Sequence, residues 1–278
     1  MNVTYVGSSS WLSTKVPEGH TIHRLADDHA ALFAGQRVQV TSPQGRFLAA
    51  QLLDGQVLTS VEAWGKHLLY GFGPIGWVHI HLGLFGKVWT HVGPQETPRQ
   101  TVRLRLSTAE SYFDLVGATR CALIDESERA KLLNRLGPDP LDPKAKGDEA
   151  WAKLSASNQP IGQLLMDQTV VAGIGNVYRA ELLFRARLDP YRPGRQVTPD
   201  EWQGIWSDVR KLMRAGMRAN RIVTTRPEHR ERQTGRVRPS DATYVYRRAE
   251  QACRICGTVV IAEPLAGRRL YRCPTCQA

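Results

Sequence analysis

The chain has 278 residues, enough for about two domains with a small module besides. Its 42% hydrophobic and 23% charged residues exclude global disorder, and no apolar run, that through Ile75–Ile80 included, approaches the ~18 residues a membrane-spanning helix needs. Lysine and arginine number 37 against 26 acidic residues, a net charge of +11 and a pI near 9.7. Such a surplus favours a polyanionic partner, nucleic acid first, without naming a reaction.

Taken in chain order, Met1–Lys15 lacks both the basic start and the continuous apolar core of a secretory signal. Pro17 then opens a helical pattern that runs through Leu25, His29, Leu32 and Phe33, with Glu18 in its first turn. After Gly35 the chain becomes β-rich. Arg37–Thr41, Arg46–Leu53, Gln56–Ala63, His67–Phe72 and Trp77–Leu82 are short runs separated by Gly, Asp or Pro, and Lys87–His91, Thr101–Ser107 and Ser111–Leu115 follow. Their spacing predicts a β-sandwich or barrel-like domain. Cys121, in an apolar-flanked segment, reads as a small core residue rather than a nucleophile. Gly137-Pro138-Asp139-Pro140-Leu141-Asp142-Pro143 can be neither regular helix nor strand and marks a boundary.

Beyond it the periodicity is helical, over Glu149–Ser155, Ile161–Gln168, Val177–Ala186 and Pro199–Asn220. Between the second and third of these, Ala172-Gly173-Ile174-Gly175-Asn176 lets two helices approach closely and sets Asn176 as the cap of the next helix. A capped helix N-terminus is a ready phosphate site, and a plain structural cap is the alternative. Arg221–Thr243 is polar and arginine-rich, as expected of a mobile connection.

Four of the five cysteines fall in the last 26 residues, as Cys253-x2-Cys256 and Cys273-x2-Cys276 with 16 residues between the pairs. Two such knuckles joined by a hairpin suit one tetrahedral Zn2+, and four sulfur ligands leave no open position, so the metal is structural. Two disulfides are the alternative, against which the rest of the chain shows no design for an oxidising compartment. Thr258–Ile261 reads as a strand, Leu265-Ala266-Gly267 as a turn and Arg268–Arg272 as the returning strand.

The chain resembles the formamidopyrimidine-DNA glycosylase and endonuclease VIII family, on the endonuclease VIII side of actinobacterial type. The residues that carry the resemblance are Pro17-Glu18-Gly19, Gly65-Lys66-His67-Leu68-Leu69, Gly137-Pro138-Asp139, the turn from Asp167-Gln168 to Asn176, and the cysteine tail with Arg268-Arg269-Leu270-Tyr271. The resemblance implies an α+β multidomain fold: an N-terminal β-sandwich, a helix–two-turn–helix domain and a C-terminal zinc finger, with damaged double-stranded DNA held across the cleft between two lobes. The domain ranges expected are 17–135, 136–238 and 239–278, with 1–16 as an untranslated or removed extension. A monomer in the bacterial cytoplasm, associated with the nucleoid and not with membrane, completes the expectation.

The implied activity is a bifunctional glycosylase and abasic-site lyase that removes oxidised bases, pyrimidines by preference, and cleaves the strand by β,δ-elimination. Such chemistry needs an amine that is neutral at physiological pH. An α-amino group keeps roughly a tenth of its population neutral near pH 7, an unperturbed lysine far less than 1%. A proline amine forms an iminium whose fixed charge draws electrons through both eliminations. The resemblance gives this role to Pro17, acid–base work to Glu18, β-elimination at the neighbouring phosphate to Lys66 and δ-elimination to Arg268. Asn176 and Arg135 would hold phosphates, and Leu84 and Phe85 would fill the gap left by a flipped nucleotide, unless they belong to the sandwich core.

Pro17 is internal as written, so its nitrogen is an amide without a nucleophilic lone pair. The mechanism therefore expects that Met1–Lys15 is not translated, that initiation is at Val16 from a GTG codon, and that the initiator is removed before Pro17; proteolytic processing is the less economical route. Two departures from the family pattern limit the transfer: Thr21 stands where a second acidic residue is frequent, and Gly83 where a polar wedge is expected. His79 and His81 share a strand face without a third metal ligand nearby in sequence, and His20 and His23 either line the site's mouth or serve packing. A non-catalytic nucleic-acid-binding zinc protein and an abasic-site lyase without base release remain open alternatives. Binding should fall steeply with salt.

Overall fold

The structure, a computed structural model, describes residues 17–278, so the expectation for Met1–Lys15 and Val16 lies outside the described residues. The chain divides into two compact units, Pro17 with Leu25–Leu133 and Glu18–Arg24 with Asn134–Ala278. Helix α1 (Gly19–Phe33) contributes to both, passing from one to the other at Arg24.

The first unit is the expected sandwich. Its elements are β1 (Gln39–Thr41), α2 (Ala50–Leu53), β2 (Ser60–Trp64), β3 (His67–Gly71), β4 (Trp77–His81), β5 (Lys87–Val92), β6 (Leu104–Ser107), β7 (Ser111–Val116), β8 (Arg120–Ile124) and the start of α3 (Glu126–Arg135). Two antiparallel sheets form, ordered β1-β6-β7-β5 and β2-β3-β4-β8. Alternating residues turn Leu68, Tyr70, Val78, Ile80 and Cys121 into the core, where Tyr70 of one sheet stacks on Phe113 of the other at 5.3 Å. Helix α1 closes this core with Phe33 and with His29, which is fully buried. His29 Nδ1 lies 2.6 Å from the Tyr70 hydroxyl and Nε2 2.7 Å from Thr90 Oγ1, so one imidazole ties both sheets. Burial pushes its pKa down to about 3 and keeps it neutral.

Three expectations for this unit are corrected. Arg46–Leu53 is not a strand: Phe47, Ala50 and Leu53 are buried three residues apart, a helical rather than alternating spacing, and the segment ends in α2. The strand expected over Gln56–Ala63 begins at Ser60, and that over Thr101–Ser107 at Leu104. Strand β8 and helix α3 were not anticipated, although Asp125 and Glu128 form a reciprocal cap, Glu128 N donating to Asp125 Oδ1 at 2.7 Å and Asp125 N to Glu128 Oε2 at 3.2 Å.

The second unit is helical and ends in a hairpin: the last turn of α3, then α4 (Asp148–Ser155), α5 (Ile161–Leu164), α6 (Asn176–Arg185), α7 (Pro199–Ala219), β9 (Ile261–Leu265) and β10 (Arg268–Arg272). Leu154, Ile161, Ile174, Leu182, Trp202 and Met213 build its core. Helix α7 is framed as its sequence demands, by a capping box of Thr198 and Glu201 with Pro199 in the first turn, and by Asn220 in the left-handed conformation at its end. The helix expected to reach Gln168 stops at Leu164, because Asp167 turns the chain by accepting from both the amide and the hydroxyl of Thr169 at 2.8 Å. Strand β9 begins three residues later than expected, at Ile261, while β10 falls on the expected residues.

The stretch expected to be a mobile connection is fastened. Glu181, fully buried on α6, accepts from Tyr244 N at 2.7 Å, from Val245 N and Tyr246 N at 2.8 Å, and from the Thr224 hydroxyl. Thr224 N donates to Ala242 O at 2.8 Å and Thr225 Oγ1 to Asp241 O at 2.6 Å, so the two ends of the 225–241 segment are bound to each other. Among the described residues no helix is long and apolar enough to cross a membrane.

Candidate active site and nucleic-acid interface

Glu18 is fully buried, and its carboxylate sits on the N-terminus of α6. Val177 N donates to Oε1 at 2.7 Å, and Gly175 N and Tyr178 N to Oε2 at 3.2 Å each. These amides belong to the set every helix leaves unpaired at its start, and the helix dipole favours the same negative charge. A Cβ on Gly175 would lie 2.6 Å from Glu18 Cδ, so the approach requires a glycine there. This corrects the expectation for Asn176, which is not the cap: the N-cap is Gly175, and the amides expected to receive a phosphate are taken by Glu18. Hydrogen bonds from three amides hold both carboxylate oxygens in place.

Asn176 works through its side chain instead. Its Nδ2 donates to Arg269 O at 2.9 Å, and its Oδ1 accepts from Arg179. Arg179, fully buried, also reaches Arg269 O at 3.3 Å. Burial, then the nearby Arg268 charge, bring its pKa down to about 10, leaving it protonated at neutral pH. The turn between β9 and β10 is thereby clamped to α6, with Arg268 exposed at its edge. Arg179 was missed from sequence; its position three residues after Asn176, one helical turn on, was the signal. Arg135 is exposed in the last turn of α3. His20 is buried edge-on against Tyr178, its pKa lowered to about 4 by burial and then by His23, and His23 Nε2 pairs with Asp139 at 2.7 Å.

In the sandwich unit, Gly65 and Lys66 form the two-residue turn between β2 and β3, with Trp64 opposite His67. Gly65 has φ +58° while Lys66 stays outside the positive-φ region, as a turn with glycine first requires. Beside the turn, His67 Nδ1 and His79 Nε2 are 2.8 Å apart. Leu84 and Phe85, just after β4, are 52% and 80% exposed, which removes them from the sandwich core.

The four tail cysteines converge, each offering a sulfur within 4.8 Å of the others. The Cys253–Cys276 and Cys256–Cys273 sulfurs are 3.9 and 3.5 Å apart, too far for disulfides and close to the ~3.8 Å edge of a tetrahedron built on 2.3 Å zinc–sulfur bonds. The donor set fits a structural zinc. Thus Glu18, Asn176, Arg268 and the cysteines share one unit, and Lys66, Leu84 and Phe85 the other.

Residues 16–124 match the family description "Formamidopyrimidine-DNA glycosylase N-terminal domain" and residues 136–227 "Formamidopyrimidine-DNA glycosylase H2TH domain". "Endonuclease 8 1" of Mycobacterium tuberculosis is 48% identical over 269 residues, which cover 94% of this chain and 100% of that protein. "Formamidopyrimidine-DNA glycosylase" of Thermus thermophilus is 30% identical over 274 residues, 95% of this chain and 98% of that protein. Among solved structures, the Thermus thermophilus MutM (Fpg) protein aligns with a TM-score of 0.74 at 28% identity over 94% of this chain and 98% of its own. Lactococcus lactis Fpg, solved with DNA containing an abasic site, shares the fold with a TM-score of 0.77 at 20% identity, over 94% and 99% of the two chains. This chain belongs to the formamidopyrimidine-DNA glycosylase and endonuclease VIII family.

Proposed function

We propose that this protein is a bifunctional DNA glycosylase and abasic-site lyase of base excision repair, acting on oxidised bases in double-stranded DNA and preferring pyrimidines. The observation that carries the reading is the buried Glu18 carboxylate, fixed by three amides of α6 in the position next to Pro17. In a plain DNA-binding protein the same carboxylate would serve only as the cap of α6.

The Pro17 amine bonds to the anomeric carbon of the damaged nucleotide as the base departs with the glycosidic electron pair; the amine then gives up its proton, the C1′–O4′ bond breaks with its electrons on O4′, and the sugar remains as an open-chain iminium on proline. Glu18 moves the proton at the opening sugar ring. Loss of the 3′ and then the 5′ phosphate follows, with Lys66 and Arg268 beside the leaving groups. Asn176 and Arg135 hold backbone phosphates, and Leu84 and Phe85 occupy the space of the extruded nucleotide. The catalytic chain begins at Pro17, since only a free amine can act. Modules 17–135, 136–238 and 239–278 carry catalysis, DNA binding and the zinc site, and the protein works as a monomer in the cytoplasm, on nucleoid DNA.

Borohydride trapping tests the reading, with chains beginning at Pro17 and at Met1 each given a duplex bearing an oxidised pyrimidine or an abasic site. A covalent adduct from the Pro17 chain alone, on both duplexes, is expected. Adducts on the abasic duplex only would reduce the activity to a lyase, and none on either duplex would return the protein to the nucleic-acid-binding class.

A further inference from the structure

Lys66 is the second residue of a two-residue turn, and a pair of imidazoles fixes the strand that leaves it. His67, the first residue of β3, is buried, as is His79 on β4. The register sets His67 opposite His81 and His79 opposite Leu69, so the 2.8 Å His67–His79 bond runs diagonally across the ladder. The His81 ring lies 4.9 Å from that of His67 on the same face. Backbone pairing sets the height of β3 but not the side-chain rotation at its first residue; the diagonal bond adds that constraint one peptide away from Lys66.

We propose that His79 is a positioning residue for Lys66: by holding the His67 imidazole it fixes the β2–β3 turn, and with it the direction in which the Lys66 ammonium is presented to the phosphate next to the lesion. This rests on the reading of Lys66 as a group that assists strand cleavage. A hairpin tip carrying one long flexible side chain gains most from a rigid base, because a misplacement of about 1 Å in a catalytic group costs up to about a hundredfold in rate.

The test uses the full chain begun at Pro17 and single-turnover cleavage of an abasic-site duplex, with duplex affinity and melting temperature measured alongside. His79→Leu is expected to slow cleavage about tenfold at unchanged affinity. His79→Gln, which can still bond His67, restores most of the rate. Adding His79→Leu to Lys66→Ala produces no further loss, since both act through one group. Should the leucine variant not fold, His67→Asn replaces it and must show the same pattern. If Lys66→Ala cleaves as fast as the unsubstituted chain, the reading of Lys66 fails and the inference with it. If Lys66→Ala is slowed while His79→Leu is not, or if the double variant loses the two effects additively, the inference alone is overturned.

Discussion

Glu18 and Val177 are joined by a 2.7 Å hydrogen bond that spans 159 positions of sequence, from the residue after Pro17 to the first turn of helix α6. The bond makes one carboxylate both the cap of a helix and the neighbour of the proposed nucleophile. Substitution separates the two roles. Glu18→Gln keeps an acceptor for the amides and loses the base, so base release falls by about a hundredfold or more while the fold survives. Glu18→Ala leaves buried amides without their acceptor, at about 1–3 kcal/mol for each one that finds no new partner. Denaturant melts beside glycosylase assays read the difference; equal destabilisation by both variants would remove the capping argument.

Gly175→Ala places a methyl group against the Glu18 carboxyl carbon. Overpacking of this kind costs about 1–3 kcal/mol, and here it also pushes the carboxylate off its amides, so activity falls with stability. Melting temperature and single-turnover base release check this together, and an alanine variant with unchanged activity would show that the close approach is dispensable.

Chelation tests the cysteine cluster. One zinc per chain is expected from metal analysis, and its removal, or Cys273→Ser, unfolds the β9–β10 hairpin and lowers DNA affinity by removing the Arg268 platform. Two free thiol pairs with no bound metal in freshly purified protein would contradict it.

His29 and His20 are buried neutral, with pKa values of about 3 and about 4 against 6.5 unfolded. Their folded values lie below the unfolded value, so their neutral forms contribute full stability above pH 6.5, and the unfolded state takes up protons first as the pH falls. Stability is therefore lost as the pH falls from 6.5 to about 4 for His20 and to about 3 for His29, on the order of 1 kcal/mol per pH unit for each. Urea midpoints across that range test it; His29→Gln should flatten the slope, and an unchanged slope would assign the acid loss to other groups.

Salt titration separates phosphate contacts from packing. The logarithm of the binding constant should fall linearly with the logarithm of salt concentration, and Arg268→Ala should reduce that slope by about 0.9, one phosphate contact. A slope left intact would place Arg268 away from the backbone.

The sandwich was legible because its short β-rich runs are separated by Gly, Asp or Pro: those expected over His67–Phe72 and Trp77–Leu82 are β3 and β4, each one residue shorter. The cysteine spacing was equally plain. What sequence could not carry was the partner of each terminus. Asn176 looks like a cap because asparagine is a good one, yet Glu18, far away in sequence, outcompetes it with a full charge. Likewise α2 hides in an apolar run whose period shows only when burial of Phe47, Ala50 and Leu53 is known. Glu181 reads as an ordinary helical surface charge until the amides of Tyr244, Val245 and Tyr246 are found on it.

The bonds from Thr224 to Ala242 and from Thr225 to Asp241 close the 225–241 segment at its neck. Chain entropy charges little for extra length in a loop whose ends are already together, roughly 0.6 kcal/mol for each doubling. Added length inside this arginine-rich excursion therefore costs the fold little, because its two ends are held together whatever lies between them.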